Sequence, residues 1–175
     1  MFLFEDECSM SNTASVSYKW SEKGKQPRIP QKQGKRERHT LFGSVNPITG
    51  EVIVQKAEKG NAKSFRKYLK KVLRHYDGTT GKIYMVLDNV RYHHAKALQP
   101  FLEKNRERIE LVFLPPYSPD FNPIERVWWH MRKKISNNRY VGSLDERMKH
   151  FWRLFSHYQK PNKFIVDLCN PNYSV

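Results

Sequence analysis

From Leu114 to Trp128 the chain reads Leu-Pro-Pro-Tyr-Ser-Pro-Asp-Phe-Asn-Pro-Ile-Glu-Arg-Val-Trp, with four prolines in the first ten residues. Proline fixes φ and has no N–H to donate, so neither a helix interior nor a central strand can run through this stretch. It has to be a stiff connector. Ser118-Pro119-Asp120 is a turn signal. Asn122-Pro123-Ile124-Glu125 then has the form of a helix start, with Asn122 as N-cap, Pro123 at the first helical position and Glu125 at the third. One carboxylate is thus expected at the beginning of a helix, directed by a rigid loop. Two more acids stand where short apolar strands should end: Asp6 in Phe2-Leu3-Phe4-Glu5-Asp6-Glu7, and Asp88 in Ile83-Tyr84-Met85-Val86-Leu87-Asp88-Asn89.

The charge balance narrows the partners. Thirty-two Lys and Arg against seventeen Asp and Glu leave a formal net charge of +15 over 175 residues, with a pI near 9.9. Such an excess repels itself in the compact state unless a polyanion screens it, which makes nucleic acid the default partner. Three carboxylates from separate elements of so basic a chain point to metal-dependent chemistry on nucleic-acid phosphates. The length suffices for one domain with its own core. No apolar run approaches the roughly 20 residues of a membrane span, and Met1-Phe2-Leu3-Phe4 runs straight into acids rather than a signal-peptide pattern. Cys8 and Cys169 are lone thiols without a Cys-x-x-Cys spacing, so neither a thiolate zinc site nor a disulfide framework is indicated. A reducing, cytoplasmic setting fits.

Along the chain, Phe2 to Glu7 reads as a short buried strand, followed by a polar, irregular stretch over residues 8–38. Within it, Lys19 to Arg38 carry eight Lys or Arg and two Glu around Trp20, Pro27 and Pro30. A charge run is often only a solvated surface. Here the interleaved Trp and prolines suggest a structured loop facing nucleic acid, with Lys19, Lys23, Lys25, Arg28, Lys35 and Arg36 as candidate phosphate contacts. His39 to Asn46 and Glu51 to Ala57 are β-branched-rich strands joined by the hairpin signal Asn46-Pro47-Ile48-Thr49-Gly50. Asn61 to Tyr76 switches to helical period, with Phe65, Leu69, Val72, Leu73 and Tyr76 on one face and lysines on the other.

Lys82 to Leu87 is a continuous apolar run, as for a central parallel strand covered on both sides. His94 to Asn105 is read as helical, with a kink or a late start at Pro100. Glu110 to Leu114 is the next strand and Pro123 to Asn137 the next helix. That helix carries Ile124, Trp128, Met131 and Ile135 inward, so Trp128 should be core and Trp129 more exposed. Ser143-Leu144-Asp145-Glu146 is a capping box opening a last helix, and the tail after Pro161 reads as irregular. This order predicts an α/β fold with a mixed five-stranded sheet: an antiparallel meander, then two right-handed crossovers with helices on the faces. The first and fourth strands then lie side by side, bringing Asp6 next to Asp88, with Glu125 closing from the last crossover helix. That is the ribonuclease H-like layout.

Each acid also has a plainer reading. Asp6 could be a solvated strand end, with Glu5 or Glu7 as the ligand instead, because period-two alternation sets Asp6 opposite both. Asp88-Asn89 could be a turn after a strand, and Glu125 a capping partner for Asn122. His93-His94 as a metal pair is disfavoured, since adjacent helical residues diverge. Hydrogen bonding near the site or to phosphate is the preferred role for His93. Arg126, Arg132, Lys133, Lys134 and Arg139 make a stretch of five positives without an acid, a candidate track for the DNA backbone.

Asp6-Glu7 at the end of the first strand, Val86-Leu87-Asp88-Asn89-Val90-Arg91-Tyr92-His93, and Leu114 through Glu125 together carry a resemblance. The chain resembles the catalytic domain of DDE transposases, in particular bacterial insertion-sequence members of the mariner-type superfamily. Thirty-six residues separate Asp88 from Glu125, close to the short spacing of that superfamily. The resemblance implies that Asp6, Asp88 and Glu125 are the catalytic triad and that Asp120 is a loop residue outside it. Asn89, His93 and Asn122 would be accessory. It implies two Mg²⁺ ions, replaceable by Mn²⁺, with Asp6 bridging both, Asp88 on one and Glu125 on the other. Paired ions stabilise the attacking and leaving oxygens of an in-line displacement, so no side chain need act as general base.

The activity implied is cleavage and strand transfer at transposon ends. The partners are double-stranded end and target DNA, a second copy of the chain in the active complex, and no membrane, in the nucleoid of a prokaryotic host. The catalytic domain would occupy residues 1–160 and a tail 161–175. Family members carry helix-turn-helix units ahead of the first catalytic strand, and these read the ends. Here Asp6 is the sixth residue, so that portion is expected as a missing partner. Two alternatives stand beside this: a nuclease of the same fold, and an inactive or domesticated DNA-binding remnant without end recognition.

Overall fold

The computed structural model describes residues 1–26, 28–30, 35–116 and 118–170; Pro27, Tyr117 and the last five residues lie outside the described residues. Five strands form one mixed sheet in the order β3-β2-β1-β4-β5, with β1 at Phe2–Ser11, β2 at Arg38–Val45, β3 at Val52–Ala57, β4 at Ile83–Leu87 and β5 at Ile109–Phe113. β1 runs antiparallel to β2 and parallel to β4, and β5 is parallel to β4. The first and fourth strands are therefore neighbours, as the element order predicts. β1 is longer than expected, because Cys8 and Met10 continue to alternate inward past Glu7 while Ser9 and Ser11 stay outside or at the edge. The β2–β3 hairpin turns through Asn46 to Gly50, where Gly50 takes φ +71°, a left-handed value that glycine adopts without steric cost.

Two cores cover the two faces of the sheet. On one face α1 (Ala62–His75) buries Phe65, Tyr68, Leu69, Val72 and Leu73 against Leu3, Phe42, Met85 and Leu87. Its start is fixed by a capping box in which Asn61 accepts from the Ser64 N–H at 3.0 Å and Ser64 Oγ accepts from the Asn61 N–H at 3.0 Å. Pro100 delays α2, which runs only from Gln99 to Lys104, behind two 3₁₀ turns at Arg91–His94 and Lys96–Leu98. The late start, not the kink, is what the proline causes.

The opposite face carries α3 (Ile124–Ile135), α4 (Leu144–Phe155) and α5 (Lys163–Cys169). Trp128, Met131 and Ile135 are buried there with Met148, Phe151 and Phe155. Trp129 is 55 % exposed beside the fully packed Trp128. Ser143 caps α4 by accepting from the Glu146 N–H at 3.1 Å, but the Glu146 carboxylate accepts from Gly142, not from the cap residue. Within the described part of the segment after Pro161, residues 162–170, the chain is not irregular. Asn162 caps α5, and Ile165 and Cys169 enter the same core as α3 and α4. Among the described residues, no helix is long and apolar enough to cross a membrane.

Candidate active site

Asp6 sits on β1 two residues beyond the last β1–β4 pair, Phe4 with Val86; Asp88 follows directly on the end of β4. The two strands diverge there, leaving both acids at the mouth of the opening. Alternation on β1 sends Asp6 toward the α3 face, with Phe4 and Cys8, and sends Glu5 and Glu7 toward the α1 face, with Leu3. Glu125 arrives in the first turn of α3. Asp6, Asp88 and Glu125 line one cleft of about 370 Å³, together with Asn89, Asn122 and Pro115.

Two contacts set the height of α3 above Asp6. The first is steric. Gly43 pairs with Asp6 across the β1–β2 ladder, and the Trp128 indole lies where a Cβ on Gly43 would be. Only glycine admits the ring this close to the strand. The second is polar and corrects the helix-start reading. Asn122 does not cap α3: the N-cap is Pro123, without a side-chain cap bond. The buried Asn122 amide instead donates to the Glu5 carbonyl at 2.8 Å, tying the Pro-rich loop to β1. A buried amide must find a partner, and the sheet backbone offers one where the helix N-terminus does not. Glu125 is therefore no capping partner of Asn122 either; its backbone N–H donates to the Asn122 carbonyl at 3.1 Å. On the other side of the cleft the Asn89 amide donates to the Leu114 carbonyl, and the Leu114 N–H donates to the Leu87 carbonyl at 2.8 Å. The Pro-rich connector is thereby held at one end to the end of β4 and at the other to the middle of β1.

The electrostatics separate the acids. Burial, followed by the neighbouring Glu125 carboxylate, pushes Asp6 up to about 8. Asp88 goes the other way: a hydrogen bond from His93 and one from the Val90 N–H at 3.0 Å lower it. Arg132 lies 3.7 Å from Glu125. Three carboxylates facing one opening, one of them held protonated by burial and by its Glu125 neighbour, make a set of hard oxygen donors suited to a divalent cation such as Mg²⁺ or Mn²⁺.

Of the proposed DNA contacts, Lys19, Lys23, Lys25, Arg28, Lys35 and Arg36 are all exposed. They belong to the segment between β1 and β2, where Tyr18 and Trp20 are almost wholly exposed as well. That segment is pinned at Ser15, which pairs with Asn137, and at Ser17, whose N–H donates to Asn138 at 3.0 Å. Arg126 and Arg132 line a second recess of about 440 Å³ that shares Asn122 and Glu125 with the cleft. Arg126 also donates to the Cys169 carbonyl at 3.3 Å, so part of its task is to hold α5. Lys133 lies over the exposed Trp129 ring at 5.0 Å, and Lys134 is exposed.

Sequence reasoning left His93 near the site without a specific partner. It is buried, with Nδ1 3.5 Å from Asp88 and Nε2 3.1 Å from Glu7. Burial opposes its charge, but the Asp88 and Glu7 acceptors outweigh that and push it up to about 10. His94, by contrast, stacks on Phe113 away from this group. The contact of Gly43 with Trp128 has no local sequence signal, and that of Glu5 with His93 has only the alternation of Glu5 with Asp6.

Residues 1–147 match the DDE superfamily endonuclease family. The chain belongs to this family. It is 28 % identical over 159 residues to the insertion element IS630 uncharacterized 39 kDa protein of Shigella sonnei, covering 87 % of this chain and 45 % of that one. Among solved structures it is similar to the Mos1 transposase paired-end complex with the left transposon end (TM-score 0.71, 17 % identity, 96 % of this chain and 51 % of that one). It is also similar to the mariner Mos1 paired-end complex with Mg (TM-score 0.68, 17 % identity, 96 % and 52 %). The chain thus spans about half the length of these relatives. The shared fold is the ribonuclease H-like one of DDE transposase catalytic domains.

Proposed function

We propose that this chain is the catalytic domain of a transposase, which cuts the phosphodiester backbone at transposon ends and transfers the freed strand to target DNA. The observation that carries this is the convergence of Asp6, Asp88 and Glu125, from three elements far apart in sequence, on one open cleft. Family membership and relatives solved with transposon-end DNA and with Mg support the same reading. Asp6, Asp88 and Glu125 would hold two Mg²⁺ ions, with Mn²⁺ as a substitute. Bound there, such ions supply charge neutralisation at the scissile phosphate and at the attacking and leaving oxygens.

The chain's own residues do the rest. Asp6, pushed up by burial and by Glu125, holds a proton at neutral pH that it would release in order to ligate a cation. Asp88 is kept ionised by His93 and the Val90 N–H. Asn122 and the Trp128–Gly43 contact fix Glu125 relative to Asp6. Arg126 and Arg132 beside the cleft, with Lys133 and Lys134 further along α3, attract the DNA backbone, as do Lys19, Lys23, Lys25, Arg28, Lys35 and Arg36. The active assembly would comprise two copies and a helix-turn-helix portion that reads the ends, with the catalytic unit in residues 1–160.

The test is nicking and strand joining on a duplex carrying a transposon end, with Mg²⁺ or Mn²⁺, comparing wild type with Asp88→Asn. Metal-dependent product from wild type and a loss of about a hundredfold or more in the variant is the expected result. Equal nicking by both chains would remove Asp88 from the chemistry. A wild-type chain that binds DNA and Mn²⁺ yet yields no product would turn the reading to a DNA-binding remnant.

A further inference from the structure

On the α1 face of β1, behind the cleft, Glu5, Glu7 and His93 each offer one donor atom, all within 4.8 Å of one another. We infer that these three residues form a second metal site, buried behind the cleft, that takes a zinc ion through three protein donors. The Glu5 carboxylate is 0 % exposed, and neither of its oxygens has a hydrogen-bond partner. A buried, unpaired carboxylate of this kind is among the most costly groups a fold can contain. Glu5 points at the same imidazole nitrogen as Glu7: His93 Nε2 is 3.9 Å from Glu5 Oε2 and 3.1 Å from Glu7 Oε1. Zinc binds nitrogen and carboxylate oxygen at about 2.0–2.2 Å in a tetrahedron, which sets donor atoms about 3.4 Å apart. The two measured separations bracket that value.

The ring's other nitrogen supports the assignment. His93 Nδ1 is turned to Asp88, 3.3 Å from its carbonyl and 3.5 Å from its carboxylate, so Nε2 is the nitrogen left facing Glu5 and Glu7. Orientation of a ligating histidine by a carboxylate on its far nitrogen is the usual arrangement in zinc sites. Glu7 in turn accepts from the Tyr92 hydroxyl. A proton on His93 and one on Glu5 would also neutralise the group, but would leave the Glu5 oxygens without a partner. One divalent cation against two carboxylates and a neutral imidazole satisfies both the charge and the orphaned oxygens. Such an ion would clamp β1 on either side of Asp6 to the turn that carries Asp88, holding the cleft open at a fixed width without entering it.

Metal content by mass spectrometry, the visible spectrum of the Co²⁺-loaded chain and thermal melts with and without Zn²⁺ test this. Three chains are compared: wild type, Glu5→Gln, and the double variant Asp6→Asn with Glu125→Gln. Wild type and the double variant should each hold about one zinc per chain and show a tetrahedral Co²⁺ spectrum, and Glu5→Gln should hold none. Zinc at a hundredfold excess over its Kd should raise Tm by about 5–10 °C in the first two chains only. Zinc retained by Glu5→Gln but lost by the double variant would place the ion in the cleft and overturn the inference. Zinc taken up by none of the chains would overturn it as well, leaving Glu5 as a buried neutral carboxyl. If Glu5→Gln does not fold, Glu7→Gln carries the same comparison. Nicking with Mg²⁺ reports separately on the cleft.

Discussion

Replacing Asp6 by asparagine keeps the shape of the side chain and removes its charge, so it measures what burial beside Glu125 costs this carboxylate. The Asp6 carboxyl titrates at about 8 in the folded chain against 3.8 unperturbed. Between those values the folded state holds a proton that the unfolded state has released, so stability falls as pH rises through that window. At pH 7 the full cost comes to about 4 kcal/mol, and at pH 5 to about 1.6 kcal/mol. Water in the open cleft screens part of it, so the gain expected from Asp6→Asn is ~2–4 kcal/mol at pH 7 and ~1 kcal/mol at pH 5. Urea denaturation of both chains in chelator at pH 5, 6 and 7 reads this difference directly. Saturating Mg²⁺ should narrow or invert the gap, because a cation bound only by the aspartate form stabilises wild type alone. A gap that does not change with pH, or a variant less stable than wild type at pH 7 without metal, would refute the reasoning and make Asp6 a structural residue.

Three other outcomes follow from the same geometry. Mg²⁺ or Mn²⁺ should raise the Tm of wild type but not of Asp88→Ala, and an equal rise in both would exclude the cleft as the site. Gly43→Ala should cost about 1–3 kcal/mol in denaturant unfolding, because its methyl group meets the Trp128 ring, and a neutral result would mean α3 is not seated on β2 as described. Replacing Arg132, Lys133 and Lys134 together should flatten the dependence of log K on log salt for duplex DNA by roughly two to three, about 0.9 per lost phosphate contact. An unchanged slope would take α3 out of the DNA interface.

What could be read in advance followed from local pattern and chain topology. Short apolar and β-branched runs mark the five strands, and a period of 3.6 marks the buried faces of α1, α3 and α4. The order of elements was enough to set β1 beside β4, hence Asp6 beside Asp88. Two of the failures share one cause, which is that a local rule lost to a partner distant in sequence. Asn122-Pro123 looks like a helix cap, but its amide is used by Glu5, 117 residues away. α5 has only seven residues, too few for its apolar positions to stand out as a period, and it forms because Ile165 and Cys169 find room in the α3–α4 core.

Glu5, Asp6 and Glu7 show most sharply where sequence reading stops. Alternation set Asp6 opposite its two neighbours, and so left open which face carries the chemistry. The choice depends on what each face meets. Asp6 meets Glu125, aimed by a proline-stiffened loop and by an indole seated on Gly43. Glu5 and Glu7 meet one histidine, brought in 86 residues later by the turn that follows Asp88. The strand is thus held from behind by the same turn that supplies its partner acid. A substitution at His93 or Glu7, neither of which lines the cleft, is therefore expected to shift Asp88 relative to Asp6 and so weaken Mn²⁺ binding in a titration, whereas one at His94, which stacks on Phe113 instead, is expected to leave that binding unchanged.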